Sequence, residues 1–239
     1  MTRAMAMVLF IVATAVVIGC DRAPGRRSID AETVAPDKVL DFSVLYRTNC
    51  AGCHGLEGRG GAAIALSDPV YLAIADDVVV RRATADGISG TAMPAFARGS
   101  GGMLTAEQID AIVKGIRASW AKPGVVAGID LPPYSDGSGG QAQRGSEVFA
   151  TYCASCHGNR GQGAGASSIT DGSYLALVSD QGLRTTVIAG RPELGAPDWR
   201  GNVPGKTMTP QDITDVVAWL SAQRQPFPGQ PYQSGNSRE

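Results

Sequence analysis

Apolar residues recur along the chain in a pattern that divides it into a leader, two similar halves and a tail. Ala4 to Gly19 forms one apolar run directly after Arg3. In Val39-Leu40-Asp41-Phe42-Ser43-Val44-Leu45-Tyr46 the apolar positions return at helical spacing, which predicts a helix that delivers Cys50. Arg144 to Tyr152 predicts an equivalent helix ahead of Cys153. Each half closes on a further amphipathic helix. In the first, Thr105 is the cap, Gln108 is placed to complete a capping box, and Ile109, Ile112, Val113 and Ile116 form the stripe. In the second, Thr209 is the cap, Pro210 stands in the first turn, and Ile213, Val216, Val217 and Leu220 repeat the stripe. Both stripes read as core. Pro123-Gly124 and the stretch from Pro132 to Gly140, rich in Pro, Ser and Gly, mark a linker. The expected division is a leader over 1–19, a tether over 20–36, a first domain over 37–122, a linker over 123–140, a second domain over 141–225 and a loose tail over 226–239.

The halves repeat at a fixed offset. A shift of 103 residues carries Cys50 onto Cys153, Tyr71-Leu72-Ala73 onto Tyr174-Leu175-Ala176, Gly58 and Gly60 onto Gly161 and Gly163, and Gly87 onto Gly190. Such a gapless match marks internal duplication. At its centre stands Cys50-Ala51-Gly52-Cys53-His54, repeated as Cys153-Ala154-Ser155-Cys156-His157. Two thiols three positions apart, followed at once by an imidazole, are the attachment signature of a c-type haem. The thiols add to the vinyl groups on one porphyrin edge, and the histidine is then held under the iron. A lone Cys-x-x-Cys also suits a redox dithiol or half of a zinc site. Here both histidines of the chain lie inside the two motifs, so no spare His or Cys pair could finish a zinc site. Two covalent haems are therefore expected, on Cys50 and Cys53 and on Cys153 and Cys156, with His54 and His157 on the irons.

Composition fits that reading. Aromatic residues make up only 6% of the chain, as suits domains whose largest flat apolar body is a cofactor. The net charge of −1 comes with no basic patch, which argues against a nucleic-acid partner. Two histidines leave no third for a catalytic triad, and no phosphate loop is evident among the glycines.

With both motifs in place, the sequence resembles the diheme class I cytochromes c over nearly all of the chain after the leader. The resemblance implies an all-α fold, two tandem helical haem domains, and electron transfer rather than catalysis. It also implies a methionine on the far side of each iron, which raises the reduction potential and blocks adventitious ligands. Thr91-Ala92-Met93-Pro94-Ala95-Phe96 resembles the family's methionine loop, making Met93 the expected ligand. The 103-residue shift places Ala196 there in the second half, with Pro197 for Pro94 and Trp199 for Phe96. Alanine has no donor atom. Met208 is one candidate to reach the second iron; an open iron and another donor, Lys206 or Asn202, are the alternatives. Against Met208, its place just before Thr209 is where an apolar residue staples onto Ile213, as Leu104 should onto Ile109. The family's first and last helices cross closely, and Gly145 is expected against Trp219, and Phe42 against Gly115, at equivalent crossings.

The leader bears on location. Sixteen residues from Ala4 to Gly19 fall short of the roughly 20 that span a bilayer, and read as a secretory signal. Gly19 before Cys20 resembles a bacterial lipobox, with Cys20 the lipidated first residue and Asp21 resembling an inner-membrane retention signal; an uncleaved anchor helix is the alternative. Without residues 1–19, and hence Arg3, the charge becomes about −2. The expected protein is a periplasmic electron carrier tethered to the cytoplasmic membrane, exchanging electrons with a quinol-oxidising complex or a terminal oxidase. The alternative is a haem protein whose second iron binds a small ligand or reduces peroxide.

Overall fold

The structure is a computed structural model that describes residues 34–225; the leader, Cys20, most of the tether and the tail from Pro226 lie outside the described residues. Among these residues there are ten α-helices, a few 3₁₀ turns and isolated bridges, and no strand. From Val39 onward the described chain packs as one compact unit. No helix in it is long and apolar enough to cross a membrane.

In the first half, Asp41 caps α1 (Phe42–Asn49) by accepting the Val44 N–H at 2.9 Å. Leu45 and Tyr46 are its buried face. The chain passes through Cys50 into the short α2 (Ala51–His54), which Gly55 ends at φ 81. Helices α3 (Pro69–Ile74) and α4 (Asp77–Asp86) each start on an aspartate cap, Asp68 and Asp76. The capping box expected for α5 (Ala106–Trp120) is present: Gln108 N–H donates to Thr105 Oγ1 at 3.2 Å and Thr105 N–H to Gln108 Oε1 at 3.0 Å. Its stripe of Ile109, Ile112, Val113 and Ile116 is buried.

The second half repeats the plan as α6 (Ala142–Tyr152), α7 (Ala154–His157), α8 (Gly172–Leu177), α9 (Asp180–Ala189) and α10 (Pro210–Ser221). Helices α2, α3 and α4 fall on α7, α8 and α9 to the residue at the 103-residue shift. Thr209 caps α10 and Pro210 opens it; Asp212 completes a capping box there, accepting the Thr209 N–H at 2.9 Å.

The crossings of α1 with α5 and of α6 with α10 exchange small for large as expected. A Cβ on Gly145 would lie 2.0 Å from the Asp215 carbonyl oxygen and 2.8 Å from Trp219 Cβ. A Cβ on Gly115 would lie 2.1 Å from the Phe42 ring. The shared aromatic neighbour also survives. Trp219 packs on Phe149 with ring centroids 4.4 Å apart, and Phe42 on Tyr46, the counterpart of Phe149, at 5.6 Å. Such a pair adds about 0.5–1.5 kcal/mol to what burial supplies.

An arginine clamp holds each short helix to the last one. Arg117, in α5, donates to the carbonyls of Leu72 and Ala75 and pairs with Asp77 at 2.6 Å. Arg224, just past α10, donates to the carbonyls of Leu175 (3.0 Å) and Val178 (2.8 Å) and pairs with Asp180. These carbonyls close α3 and α8, where helix geometry leaves acceptors unpaired. The acceptors obey the 103-residue shift; the arginines do not.

The segment between the halves is bound down rather than free. Val126 is buried, Arg184 donates to the Pro133 carbonyl at 3.0 and 3.1 Å, and Gln181 donates to the Tyr134 carbonyl at 2.6 Å. The Thr214 hydroxyl donates to Asp136 at 2.8 Å. The halves themselves meet where α3 packs on α9, and Arg191 Nη2 donates to the Gly61 carbonyl at 2.8 Å.

Two candidate haem sites

Each Cys-x-x-Cys-His segment is made the same way. A long helix ends on the first cysteine, a single turn carries the second cysteine and the histidine, and a glycine at positive φ turns the chain away: Gly55 at 81° and Gly158 at 78°. The loop that follows is tied back by Ala63 N–H to the Cys53 carbonyl and by Ala166 N–H to the Cys156 carbonyl, both at 2.9 Å. Gly61 is required there, since its Cβ would lie 2.1 Å from the Cys53 carbonyl oxygen. Among the described residues no cysteine forms a disulfide, so both sulfurs of each motif are available for attachment.

The loop also fixes the imidazoles. His54 Nδ1 lies 2.8 Å from the Ile64 carbonyl and His157 Nδ1 2.8 Å from the Ser167 carbonyl. A carbonyl only accepts, so Nδ1 carries a proton in both rings, which in the neutral tautomer leaves the Nε2 lone pair for a metal. Burial pushes the His54 imidazole below its ordinary pKa, which keeps it neutral. His54 Nε2 is buried with no hydrogen-bond partner. An orphaned buried nitrogen of this kind costs about 1–3 kcal/mol unless another group takes its lone pair. Iron beneath a haem attached to Cys50 and Cys53 would take it, and the donor set fits the group. His157 is less enclosed, only half-buried.

The opposite face is where the halves differ. Gly87 and Gly190 adopt matching conformations, φ 69 and ψ −169 against φ 70 and ψ −165. Ile88 N–H donates to the Met93 carbonyl at 3.0 Å, and Arg191 N–H to the Ala196 carbonyl at 2.9 Å. Ala196 thus occupies the backbone position of Met93. In the first loop the Met93 N–H also donates to Thr91 Oγ1 at 3.1 Å; Leu194 stands in place of that threonine. After the aromatic residue the register slips by one. Leu104 N–H donates to the Phe96 carbonyl at 2.8 Å and Met208 N–H to the Trp199 carbonyl at 3.1 Å, so Met208 occupies the position of Leu104. Met208 is 2% exposed. Of the other candidate donors, Asn202 Nδ2 donates to the Asp198 carbonyl at 3.1 Å, and Lys206 Nζ sits 5.2 Å above the Tyr152 ring.

Sequence reading missed Arg191. It links the second distal loop to the first haem loop through Gly61, pairs with Glu193 at 2.6 Å, and stands close enough to His54 to disfavour its protonation. The only signal for it was that the shift replaces Ile88 with an arginine.

Comparison with known proteins bears on both sites. Residues 142–223 match the family "Cytochrome c", and residues 38–114 match "Cytochrome C oxidase, cbb3-type, subunit III". The cbb3-type cytochrome c oxidase subunit FixP of Sinorhizobium medicae is 30% identical over 64% of this chain and 53% of its own length. The FixP subunit of Azorhizobium caulinodans is 28% identical over 74% and 57%. A cytochrome bc1 complex cytochrome c subunit of Mycobacterium bovis is 26% identical over 61% and 51%. The chain spans little more than half the length of these relatives. A chain of the Kuenenia stuttgartiensis reducing HAO-like protein complex aligns over 81% of this chain and 98% of its own at a TM-score of 0.42 and 14% identity.

Proposed function

The chain is a diheme protein of the class I cytochromes c, two such domains in tandem with two covalently bound haem c, and from that premise we propose that it carries electrons between a quinol-oxidising complex and a terminal oxidase. The observation that carries this reading is the duplicated site, with an oriented imidazole beside a thiol pair in both halves of one compact unit. Haem supplies one-electron exchange between ferrous and ferric iron. The residues assigned to hold it are Cys50, Cys53 and His54, with Met93 opposite, and Cys153, Cys156 and His157. The loops at Gly61 and Ala166 fix the direction of each histidine, and the packed core keeps water from the buried one.

The relatives' names supply the partner class, since they are subunits of a cbb3-type oxidase and of a bc1 complex. The leader supplies the place: we assign the protein to the periplasmic face of the cytoplasmic membrane, lipid-anchored through Cys20. Membranes stripped of this chain should oxidise quinol with oxygen more slowly, and the purified holoprotein should restore the rate. A rate unchanged by removal or by addition refutes the carrier reading. Cys20→Ser should release the protein from the membrane fraction with both haems in place.

A further inference from the structure

We propose that the second iron receives no side chain of this protein opposite His157 and is a binding site for a small π-accepting diatomic of the carbon monoxide or nitric oxide kind. This rests on the haem reading above and concerns what the chain offers that iron. The distal loop is in register with its counterpart: a Cβ on Gly190 would meet Pro197 and the Ala196 carbonyl, as one on Gly87 would meet Pro94 and the Met93 carbonyl. The position that presents a thioether in the first half therefore presents a methyl group in the second, and a methyl group cannot ligate.

Met208 does not make good the loss. The loop after Trp199 is one residue longer than the loop after Phe96, and that residue places Met208 at the position of Leu104. Leu104 lines a groove between α4 and α5 together with Val78, Ala85 and Ile109. A side chain at that position is thus turned into the seam between two helices. In the second half Met208 is buried in the same way, in one cluster with Ile188 and Ile213, the counterparts of Ala85 and Ile109. Its sulfur lies 4.0 Å from Asn202 Nδ2, a donor directed at the lone pairs an iron would need. Larger Ile188 in place of Ala85 brings more apolar surface into the seam, and a flexible thioether adapts to such a neighbour. Lys206 and Asn202 are engaged as described above, and among the described residues of the second half Met208 is the one soft donor outside the haem motif.

Binding here is the addition of one neutral ligand to ferrous iron; no bond breaks and no electron is transferred. The test is titration of the dithionite-reduced full-length holoprotein with carbon monoxide, followed by absorbance. The expected uptake is one carbon monoxide per chain. Met208→Leu should leave that uptake at one, Ala196→Met should lower it to none, and Met93→Ala should raise it to two. No uptake by the wild type overturns the proposal, as does a rise from none to one in Met208→Leu. Uptake of two by the wild type overturns the contrast between the sites on which the inference stands. Should Ala196→Met fail to fold, electron paramagnetic resonance of the oxidised wild type decides. One high-spin haem of the two, unchanged in Met208→Leu, supports the proposal, and two low-spin haems sink it. None of these readouts involves a partner complex, so failure of the carrier reading would leave them untouched.

Discussion

Gly145→Ala isolates what the tight crossing of α6 with α10 contributes. In an unhindered helix the added methyl group would stabilise the fold by about 1 kcal/mol through propensity. At this position the new Cβ would fall 2.0 Å from the Asp215 carbonyl oxygen and 2.8 Å from Trp219 Cβ. Unstrained contact needs about 3.5 Å, so the helices would have to part by more than an ångström. The α10 backbone is poorly free to move. Asp215 is fully buried, accepts the Gln141 N–H at 2.8 Å and the Gln211 amide at 2.9 Å, and pairs with Arg144. Overpacking of this kind costs about 1–3 kcal/mol, and a rigid backbone neighbour puts the cost near the upper end. With propensity offsetting about 1 kcal/mol, the net loss is about 2 kcal/mol.

At a urea dependence of about 2 kcal/mol per molar, the unfolding midpoint of the holoprotein, followed by circular dichroism, should fall by about 1 M. Gly115→Ala is the matched control. Its Cβ would also come within 2.1 Å of a neighbour, but that neighbour is the ring of Phe42, half-buried at the first position of α1. The ring can swing outward, and although Phe42 Cβ would lie 2.7 Å away it belongs to the first residue of its helix, so the loss should be about 1 kcal/mol and smaller than for Gly145→Ala. A Gly145→Ala midpoint equal to wild type, or a larger drop for Gly115→Ala, would refute the reasoning.

Asp136 accepts from the Ser138 N–H and hydroxyl and the Thr214 hydroxyl, which hold its carboxyl at about 2, below the usual 3.8. The stabilisation this gives the linker is complete above the unfolded value and is lost as pH falls through about 2; excess hydrogen exchange in 133–140 over that window should vanish in Asp136→Asn. Arg191→Gln should lower the reduction potential of the first haem, because a nearby cation favours the ferrous state, and Glu193→Gln should raise it; shifts of the same sign in a redox titration would remove Arg191 as an electrostatic neighbour. Met93→Ala should abolish the methionine-to-ferric charge-transfer band and lower the potential of one haem only; an unchanged spectrum rejects the ligand assignment.

The repeat made much of this structure legible. Cys-x-x-Cys-His, the glycines and the caps are local devices, and local devices survive in sequence with their spacing intact. The exchanged crossing was also legible, because a large residue opposite a glycine must be read as a pair. What escaped were contacts made by long side chains from outside the repeat frame. Arg224 serves Leu175, Val178 and Asp180 as Arg117 serves Leu72, Ala75 and Asp77, yet it lies beyond the helix in which Arg117 sits. An arginine spans about one helical turn of displacement, so selection for the clamp does not preserve its position. The strapped linker was hidden for a related reason. Pro133 and Tyr134 are held by their carbonyls, which every residue carries.

The differences between the halves are concentrated in one loop. Where the first half has Ile88, Thr91 and Met93 the second has Arg191, Leu194 and Ala196, while the glycine before them and the backbone bond across them are the same in both. The first set fits a ligand loop: a hydroxyl receives the Met93 N–H, and a thioether is presented. The second set faces the other half of the molecule. Arg191 grips Gly61, and Glu193 and Leu194 line a cleft with Leu56, Glu57, Arg59 and Gly60, the stretch that follows His54. On the proposed reading the same backbone frame serves two tasks, ligation through Met93 in the first half and docking through Arg191 in the second. Docking brings the second distal loop against the chain that orients the first histidine, so charge changes in that loop are felt at His54. A loop that retained methionine at 196 could still have docked through Arg191, since the two side chains lie five residues apart. The missing donor at 196 is thus independent of the contact at 191, and Ala196→Met should supply the one without disturbing the other.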